Sequence, residues 1–352
     1  MYRKLTENEM LGHLAEGAPL LPPLIIRRTR TEPIGGADAR IEVGWPDWQE
    51  SFAFAVEAKA QSTPQAVIGA MAQARACAGP DENPIILVPY LSVERLAELE
   101  RAGVSGIDLC GNGLVMVPGR LFILRSGQPN LYPESRPLNN PYRGRSAMVA
   151  RQLLTQPSPR SLGDLRTTIQ ESGAELSLSQ VSKAVTAMQE DLLLSKEGGA
   201  ITLLEPLRLL DSLAREWKGN AVKDRRALRI SPTLDWGRAL TSVPGLKWTV
   251  NGESSARRYT AFSQGGPIQI AVSSLPLALT ALGGTPEEVR SFADMELLES
   301  GEAGLYFANE VDETGQRWAS RLQTWLELQA GDARQQEAAR ELRAQVLKRV
   351  NP

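Results

Sequence analysis

Apolar and polar positions in the first third of the chain follow two periods, one typical of strands and one typical of helices. Apolar or alternating runs predict strands at 24–30, 38–43, 51–59, 84–90 and 104–110, and a hairpin at 114–125 that turns at Pro118-Gly119. Amphipathic segments predict helices at 6–16, 64–78 and 92–102, with Thr63 as the N-cap of the second. This order predicts a mixed α/β domain over residues 1–126.

The periodicity is lost between Ser126 and Arg145. Proline recurs here at positions 129, 133, 137 and 141, with an Asn-Asn pair before the last of them. Such a composition is typical of a linker, which we assign to residues 127–145.

Three short amphipathic segments and an apolar hairpin follow the linker. The helices are predicted at 147–154, 161–172 and 176–191, and the hairpin at 192–204, around a Lys-Glu-Gly-Gly turn. This is the layout of a winged helix-turn-helix, which we assign to residues 146–226 as a central DNA-binding domain.

The remaining residues, 227–352, are predicted to form an independent, acidic C-terminal α+β domain that contacts protein rather than DNA. Runs at 246–250 and 267–272 predict strands, and 285–300 predicts a helix with Thr285 as its cap. The chain closes on one long helix, or a broken pair, between Gln316 and Val350.

Composition narrows the class of protein. The 352 residues are 42% hydrophobic and 23% charged, with a net charge of −2, which is typical of a soluble globular protein. No apolar run approaches the ~20 residues that span a bilayer, and the first ten residues lack the apolar core of a signal peptide. We therefore expect a cytoplasmic protein without membrane contact.

The histidine and cysteine content excludes several kinds of chemistry. His13 is the only histidine, and two cysteines, Cys77 and Cys110, are too few for a disulfide framework or a zinc cage. Ser-His-Asp or Cys-His catalysis would have to use His13, which the pattern places in a surface helix. Any catalysis is therefore expected to use carboxylates and lysine.

A candidate site of that kind lies at the end of the strand at 51–59. Glu57 and Lys59 are two residues apart and so point to the same face of a strand, and Asp38 begins the preceding strand. Two carboxylates can hold Mg²⁺, and a lysine can orient or deprotonate a metal-bound water. Asp38, Glu57 and Lys59 are thus the candidate catalytic residues, with Asp38 and Glu57 as metal ligands. Alternatively, Glu57 and Lys59 are a solvent-facing pair at a strand end.

The stretch from about Thr6 to Arg125 resembles the PD-(D/E)xK nuclease superfamily, with Ala37 where proline commonly precedes the aspartate. The resemblance implies a restriction-endonuclease-like domain, with a further carboxylate from the first helix, Glu9 or Glu16. It is compatible with a Mg²⁺-dependent DNA endonuclease, and also with a domain that survives as a scaffold or grips the duplex.

The third helix of the predicted winged helix is the candidate DNA-reading element. With Val181, Val185 and Met188 facing inward, its polar outer face carries the DNA-binding candidates Gln180, Ser182, Lys183 and Thr186, joined by Lys196 in the hairpin turn. Residues 141–230 contain 14 Lys and Arg against 10 Asp and Glu, a net +4, so the rest of the chain carries −6. This local charge favours a confined contact with double-stranded DNA. The alternative is a winged helix that contacts protein.

Short motifs in all three parts of the chain resemble AbiEi-type antitoxins of type IV toxin–antitoxin systems. They are Gly103, Ile107, Asp108, Gly111 and Asn112, then Trp248 with residues 252–256, and a terminal helix rich in Leu, Glu and Ala from Leu322. The resemblance implies a DNA-binding transcription regulator paired with a nucleotidyltransferase-like toxin. It leaves three readings open, namely a regulator, a nuclease targeted by its winged helix, or a protein that binds a toxin or a second copy of itself.

Overall fold

The computed structural model describes residues 5–31, 36–132, 140–261, 265–283, 292–348 and 350, and the backbone of 287–288. The chain is a mixed α/β protein that divides into two compact units, one formed by residues 1–138 with residues 190–192 and one formed by the rest. Within the described residues, no helix is both long and apolar enough to cross a membrane.

The first unit is built on an eight-stranded sheet whose spatial order follows the chain. Its strands are β1 (Pro19–Leu21), β2 (Leu24–Arg30), β3 (Ala39–Gly44), β4 (Phe52–Ala58), β5 (Glu82–Val88), β6 (Ser105–Asp108), β7 (Gly113–Val117) and β8 (Leu121–Arg125). Its helices are α1 (Glu7–Leu11), α2 (Pro64–Cys77) and α3 (Val93–Ala102). Strands β2 to β4 are antiparallel, β4 to β6 are parallel, and β7 and β8 form a hairpin.

Both faces of this sheet are buried at β5. Ile85 and Leu87 pack in one apolar cluster, whereas Ile86 and Val88 pack in a second one together with residues of α2 and α3. A continuous apolar run is the expected pattern for a parallel strand covered on both faces. Thr63 caps α2, and its hydroxyl accepts a hydrogen bond from the Ala66 N–H, as the sequence predicts.

The first helix is shorter than predicted. It ends at Leu11, and Thr6 and Glu9 form a reciprocal capping box at its start. Strand β1, which the sequence pattern did not indicate, follows it. Gly12 lies where the predicted helix would have continued, and glycine is a poor helix former.

The second unit contains a helical part, a two-stranded hairpin and a seven-stranded sheet. The first part is α4 (Ala147–Leu153), α5 (Leu162–Glu171), α6 (Leu178–Glu190), β9 (Leu194–Glu197), β10 (Ala200–Leu203) and α7 (Pro206–Glu216). The rest is β11 (Asp224–Arg229), α8 (Trp236–Thr241), β12 (Trp248–Val250), α9 (Gly252–Tyr259), β13 (Ile268–Val272), α10 (Leu275–Ala281), β14 (Glu287–Glu288), β15 (Met295–Glu299), β16 (Glu310–Val311), β17 (Arg317–Trp318), α11 (Arg321–Gln329) and α12 (Ala333–Lys348). The chain thus ends on a pair of helices.

One apolar core joins the helical part to the end of the chain. Side chains of α4 to α7, such as Met148 and Val181, belong to the same buried cluster as Trp325 and Leu342 of α11 and α12. This larger core therefore extends across the boundary predicted at residue 226, and the residues just before and after that boundary belong to the same compact unit. The seven-stranded sheet has a separate, smaller apolar core around Trp248.

The helix predicted at 285–300 is wrong for the residues that the structure describes. Met295–Glu299 is strand β15, which lies between β11 and β13, and residues 287–288 pair with β11. Pairing on both sides satisfies the backbone of β15 and buries Met295 and Leu297, which outweighs the local helix propensity of this glutamate- and leucine-rich stretch. The predicted cap, Thr285, lies outside the described residues.

Candidate functional site

The predicted triad lies at one end of the β3–β4 pair. Ala39 pairs with Val56 in the antiparallel register, and the Asp38 N–H donates to the Val56 carbonyl at 3.0 Å, which sets Asp38 across from Glu57. The Asp38 Oδ2 atom accepts a hydrogen bond of 2.9 Å from the Ala58 N–H. Lys59 Nζ donates to Glu57 Oε1 at 2.5 Å. The two carboxylates and the ammonium are therefore neighbours on one face of the sheet.

Glu57 is the buried member of this cluster. It is 0% exposed, and among the described residues its Oε2 atom has no hydrogen-bond partner. Asp38 is half-buried and the Lys59 side chain is 28% exposed, so the cluster opens to solvent at these two residues. A buried carboxylate oxygen without a donor is costly, and a cation bound there would offset that cost.

The electrostatics of the cluster follow from this burial. Loss of solvent raises the pKa of Glu57, and the nearby negative charges of Asp38 and Glu7 raise it further against the opposing effect of Lys59. Burial disfavours the charged ammonium of Lys59, but its hydrogen bond to Glu57 and the surrounding carboxylates outweigh burial, so its pKa is raised. Lys59 is thus held protonated, which suits it to orient a water or to stabilise negative charge rather than to act as a base.

Glu7 is a member of this cluster that the sequence pattern did not single out. It is an exposed residue in the first turn of α1 and acts electrostatically on both Glu57 and Lys59. The two first-helix carboxylates considered instead are engaged elsewhere. Glu9 completes the capping box, and Glu16 accepts a hydrogen bond from the Thr29 N–H.

The donor set fits a divalent hard cation. Asp38 and Glu57 provide two carboxylates, and Mg²⁺ is commonly held by one or two carboxylates with waters in its other positions. Within the described part of the chain, no group of three His, Cys, Asp or Glu side chains is arranged to hold a metal ion.

The predicted DNA-binding residues lie where the helical period places them. Val181, Ala184, Val185 and Met188 of α6 are buried, and Lys183 and Thr186 are exposed on its outer face. Ser182 is half-buried. Lys196 is exposed on β9, which pairs in antiparallel register with β10.

Gln180 has a structural role that the sequence analysis missed. Its Oε1 atom accepts from the Ser177 N–H at 2.9 Å, and the Ser177 hydroxyl accepts from the Gln180 N–H at 3.2 Å. This is the capping box that begins α6, and its Ser-x-x-Gln spacing was visible in the sequence. The exposed amide of Gln180 is therefore partly committed to its own helix.

The Asp108 motif forms a tight, fully bonded turn. The Asp108 carboxylate accepts from the N–H groups of Leu91, Cys110 and Asn112, and from the Asn112 side-chain amide. Gly111 has φ +93°, a conformation that favours glycine. Asn112 in turn bonds the backbone of Gln128. These contacts hold the end of the sheet together and account for the motif structurally.

The other motif, residues 252–256, anchors α9 to α11. Glu327 Oε2 accepts from the Gly252 N–H, and the Ser255 hydroxyl bonds the Thr324 hydroxyl at 2.8 Å. Both motifs therefore lie at packing points within their own unit.

Comparison of the chain with protein-family models, with curated proteins and with solved structures finds no match.

Proposed function

We propose that this protein is a DNA-binding regulator that contacts duplex DNA through α6 and the β9–β10 hairpin. The observation that carries the proposal is the order of three helices and an antiparallel hairpin, with Lys183 and Thr186 on the outer face of the third helix. This is the arrangement in which a winged helix-turn-helix places its recognition helix in the major groove. Lys196 on the hairpin is suited to contact the phosphate backbone.

Local charge supports the same surface. Residues 141–230 carry a net +4 while the whole chain carries −2. A positive segment on an acidic protein favours contact with phosphate in that part of the chain. Thr186 and Ser182 add hydroxyls that can bond base edges or phosphates.

The resemblance to AbiEi-type antitoxins extends the proposal to a partner. In that reading the regulator pairs with a nucleotidyltransferase-like toxin, and the first unit is a restriction-endonuclease-like domain that serves as scaffold or grips the duplex. A homodimer is compatible with it, since winged-helix regulators often bind two half-sites.

The test is a binding titration with a labelled duplex that covers the promoter of the protein's own operon. The double variant Lys183→Ala/Lys196→Ala should bind at least ~10-fold more weakly, because two phosphate or base contacts are lost. Lys223→Ala, which removes an exposed lysine outside this surface, is the matched control. Affinity of the double variant equal to that of the control would overturn the placement of the DNA contact.

A second candidate function is metal-dependent cleavage of DNA, favoured by the convergence of Asp38, Glu57 and Lys59 and by the unpartnered Oε2 of Glu57. Asp38 and Glu57 would hold Mg²⁺, which when bound lowers the pKa of a water and stabilises charge on the phosphate. Lys59, held protonated beside Glu57, would orient that water or stabilise the developing charge.

Measurements of DNA cleavage and of metal binding distinguish an active nuclease site from a scaffold that retains the same residues. If the domain is a nuclease, wild-type protein cuts duplex DNA only with Mg²⁺ or Mn²⁺, and Lys59→Ala abolishes cutting while DNA binding persists. If it is a scaffold, no DNA is cut with either ion. Mn²⁺ binding measured by paramagnetic resonance, and its loss in Asp38→Ala, reports the ion independently of cleavage.

A further inference from the structure

The second unit contains a cavity of about 1010 Å³ that the proposed DNA contact does not use. Residues of α4, α5, α7 and α11 line it, together with the segments at 142–145 and 301–304. Cavities for small ligands and cofactors are typically ~300–1,000 Å³. This one is large enough for a nucleotide-sized molecule.

The wall of the cavity is predominantly cationic. Five Lys and Arg residues line it against three Glu residues, the cations being Arg143, Arg145, Arg151, Lys218 and Lys247. Four of these are exposed at the rim, and Arg151 is buried. A concave surface with this balance attracts an anion, since its low-dielectric walls focus the field of the charges.

Arg151 is the buried cation of the cavity. Its Nη1 atom donates to the Gly304 carbonyl at 3.2 Å and to Gln323 Oε1 at 2.8 Å, whereas its Nε atom has no hydrogen-bond partner in the described part of the chain. Burial lowers the pKa of Arg151 to about 10, so it stays charged at neutral pH. Among the described residues no carboxylate lies within ion-pair distance of it. Its charge is compensated at a distance by Glu327 and Glu302. Gln323, which accepts from Arg151, also donates to the half-buried Glu327 at 2.6 Å.

The backbone is shaped around this guanidinium. A Cβ atom on Gly304 would lie 2.9 Å from Arg151 Nη2 and 3.0 Å from its Cζ, which is closer than such contacts occur. Any other residue at 304 would push Arg151 from its place. The Arg151 guanidinium is therefore held by a main-chain carbonyl and a side-chain amide, with no direct ion pair among the residues that the structure describes, so its charge is incompletely neutralised.

Aromatic and apolar side chains complete the lining. Tyr142 and Trp217 are half-buried in the wall, with Met148, Leu213 and Leu176 beside them. Flat rings of this kind stack on nucleobases, whose faces are π-systems. The cavity therefore combines phosphate-binding charges with base-stacking rings.

We propose that this cavity binds a nucleoside 5′-phosphate, with its phosphate towards Arg151 and the cationic rim and its base against Tyr142 or Trp217. Binding of this ligand does not depend on DNA binding or on the triad in the first unit, whereas its role as an effector rests on the proposed function. Because α4 and α5 line the cavity and also begin the helical part proposed to bind DNA, such a ligand would be an effector rather than a substrate.

Calorimetric titration of the full chain with AMP, GMP, CMP, UMP and their diphosphates tests the proposal. At least one should bind with a Kd below ~1 mM, an ordinary affinity for a metabolite. Lys247→Glu reverses an exposed rim charge and should weaken binding ~10-fold or more, because a like charge then faces the phosphate. Lys223→Glu, an exposed lysine outside the cavity, is the matched control and should bind as the wild type does.

Arg151→Lys probes the buried position, with thermal unfolding to confirm that the variant is folded. It should bind more weakly, because lysine lacks the planar fork that pairs with phosphate. If that variant does not fold, Lys247→Glu and Arg143→Glu decide. Failure of every nucleotide to bind at ~10 mM, well above ordinary metabolite affinities, would overturn the proposal. So would equal losses in Lys247→Glu and Lys223→Glu, or binding of adenosine or inorganic phosphate as tight as that of any nucleotide.

Discussion

The carboxylate of Asp38 is locked to the neighbouring strand by the main-chain N–H of Ala58, 2.9 Å from its Oδ2 atom. Because Ala58 stands between Glu57 and Lys59, this one bond places all three polar side chains at the same end of the β3–β4 pair. In the resulting cluster of two carboxylates and one ammonium, the pKa values of Glu57 and Lys59 are both raised. These shifts predict how the stability of the first unit depends on pH.

Glu57→Gln should stabilise the first unit at neutral pH in the absence of metal. Burial raises the pKa of Glu57 in the folded protein above its ordinary value, so the folded state binds a proton more tightly than the unfolded state. Stability of the wild type therefore falls as pH rises from the ordinary value through the folded pKa. The Glu57→Gln variant lacks this pH-dependent loss of stability. Its higher free energy of unfolding, measured by chemical denaturation, should therefore disappear at acidic pH.

The control for this comparison is Glu42→Gln, which removes a half-exposed carboxylate from β3. Added Mg²⁺ should make the wild type more stable than Glu57→Gln, since the ion binds the wild type and not the variant. A Glu57→Gln protein less stable than the wild type at neutral pH without metal would contradict the account of the cluster.

The salt dependence of DNA affinity should show separately whether Lys183 of α6 and Lys196 of β9 contact phosphate. Each phosphate that a lysine neutralises adds ~0.9 to the slope of log affinity against log salt. Lys183→Ala and Lys196→Ala should each lower the slope by about that amount if both contact phosphate, and the double variant by about twice as much. A lower affinity with an unchanged slope would instead assign Lys183 to a base edge.

Gln180 should act through its helix as well as through any DNA contact. Ser177→Ala should cost about 0.5–2 kcal/mol of unfolding free energy, as capping serines do. Gln180→Ala should cost less, and the two should be non-additive because they share one capping box. Thr186→Ala, exposed in mid-helix, is the control and should change stability by no more than ~0.5 kcal/mol.

The substitution Gln180→Glu separates the two roles of this residue. Glutamate retains the capping box but replaces the amide donor with a negative charge, so stability should persist while DNA affinity falls. Unchanged DNA affinity would show that the side chain serves the helix alone.

The core shared by α4 to α7 and the last two helices should unfold as one. Leu342→Ala, at a position that is 0% exposed in α12, should cost about 2–5 kcal/mol. The loss should appear in one transition that includes α6, measured by calorimetry or by exchange of its amide protons. Val311→Ala, at a position that is 61% exposed, is the matched control.

Truncation near Ile230 tests the same core more severely. Without α9, α11 and α12 the apolar side of the helical part would be uncovered, and the fragment should aggregate. A soluble fragment that still binds DNA would restore the independent domains that the sequence pattern indicates.

The sequence by itself determined the elements whose signals are local. The period of two put Glu57 and Lys59 on one strand face, and Thr63 and Pro64 marked the start of α2. The period of α6 placed Lys183 and Thr186 outward, and Pro118-Gly119 marked the turn between β7 and β8. Capping, turn chemistry and side-chain alternation depend on residues within a few positions of each other, so one stretch of sequence contains them.

Only the tertiary structure decided what depends on distant partners. Strand β15 forms because β11 and β13 pair with it, against its own helical tendency. Glu7 acts electrostatically on Glu57 and Lys59, whereas Glu9 is engaged in the capping box of α1. Arg151 and Gln323 meet at 2.8 Å across 172 positions of sequence. The physical reason is common to all three, since burial, pairing and electrostatic compensation depend on which surfaces the folded chain brings together and not on spacing along it.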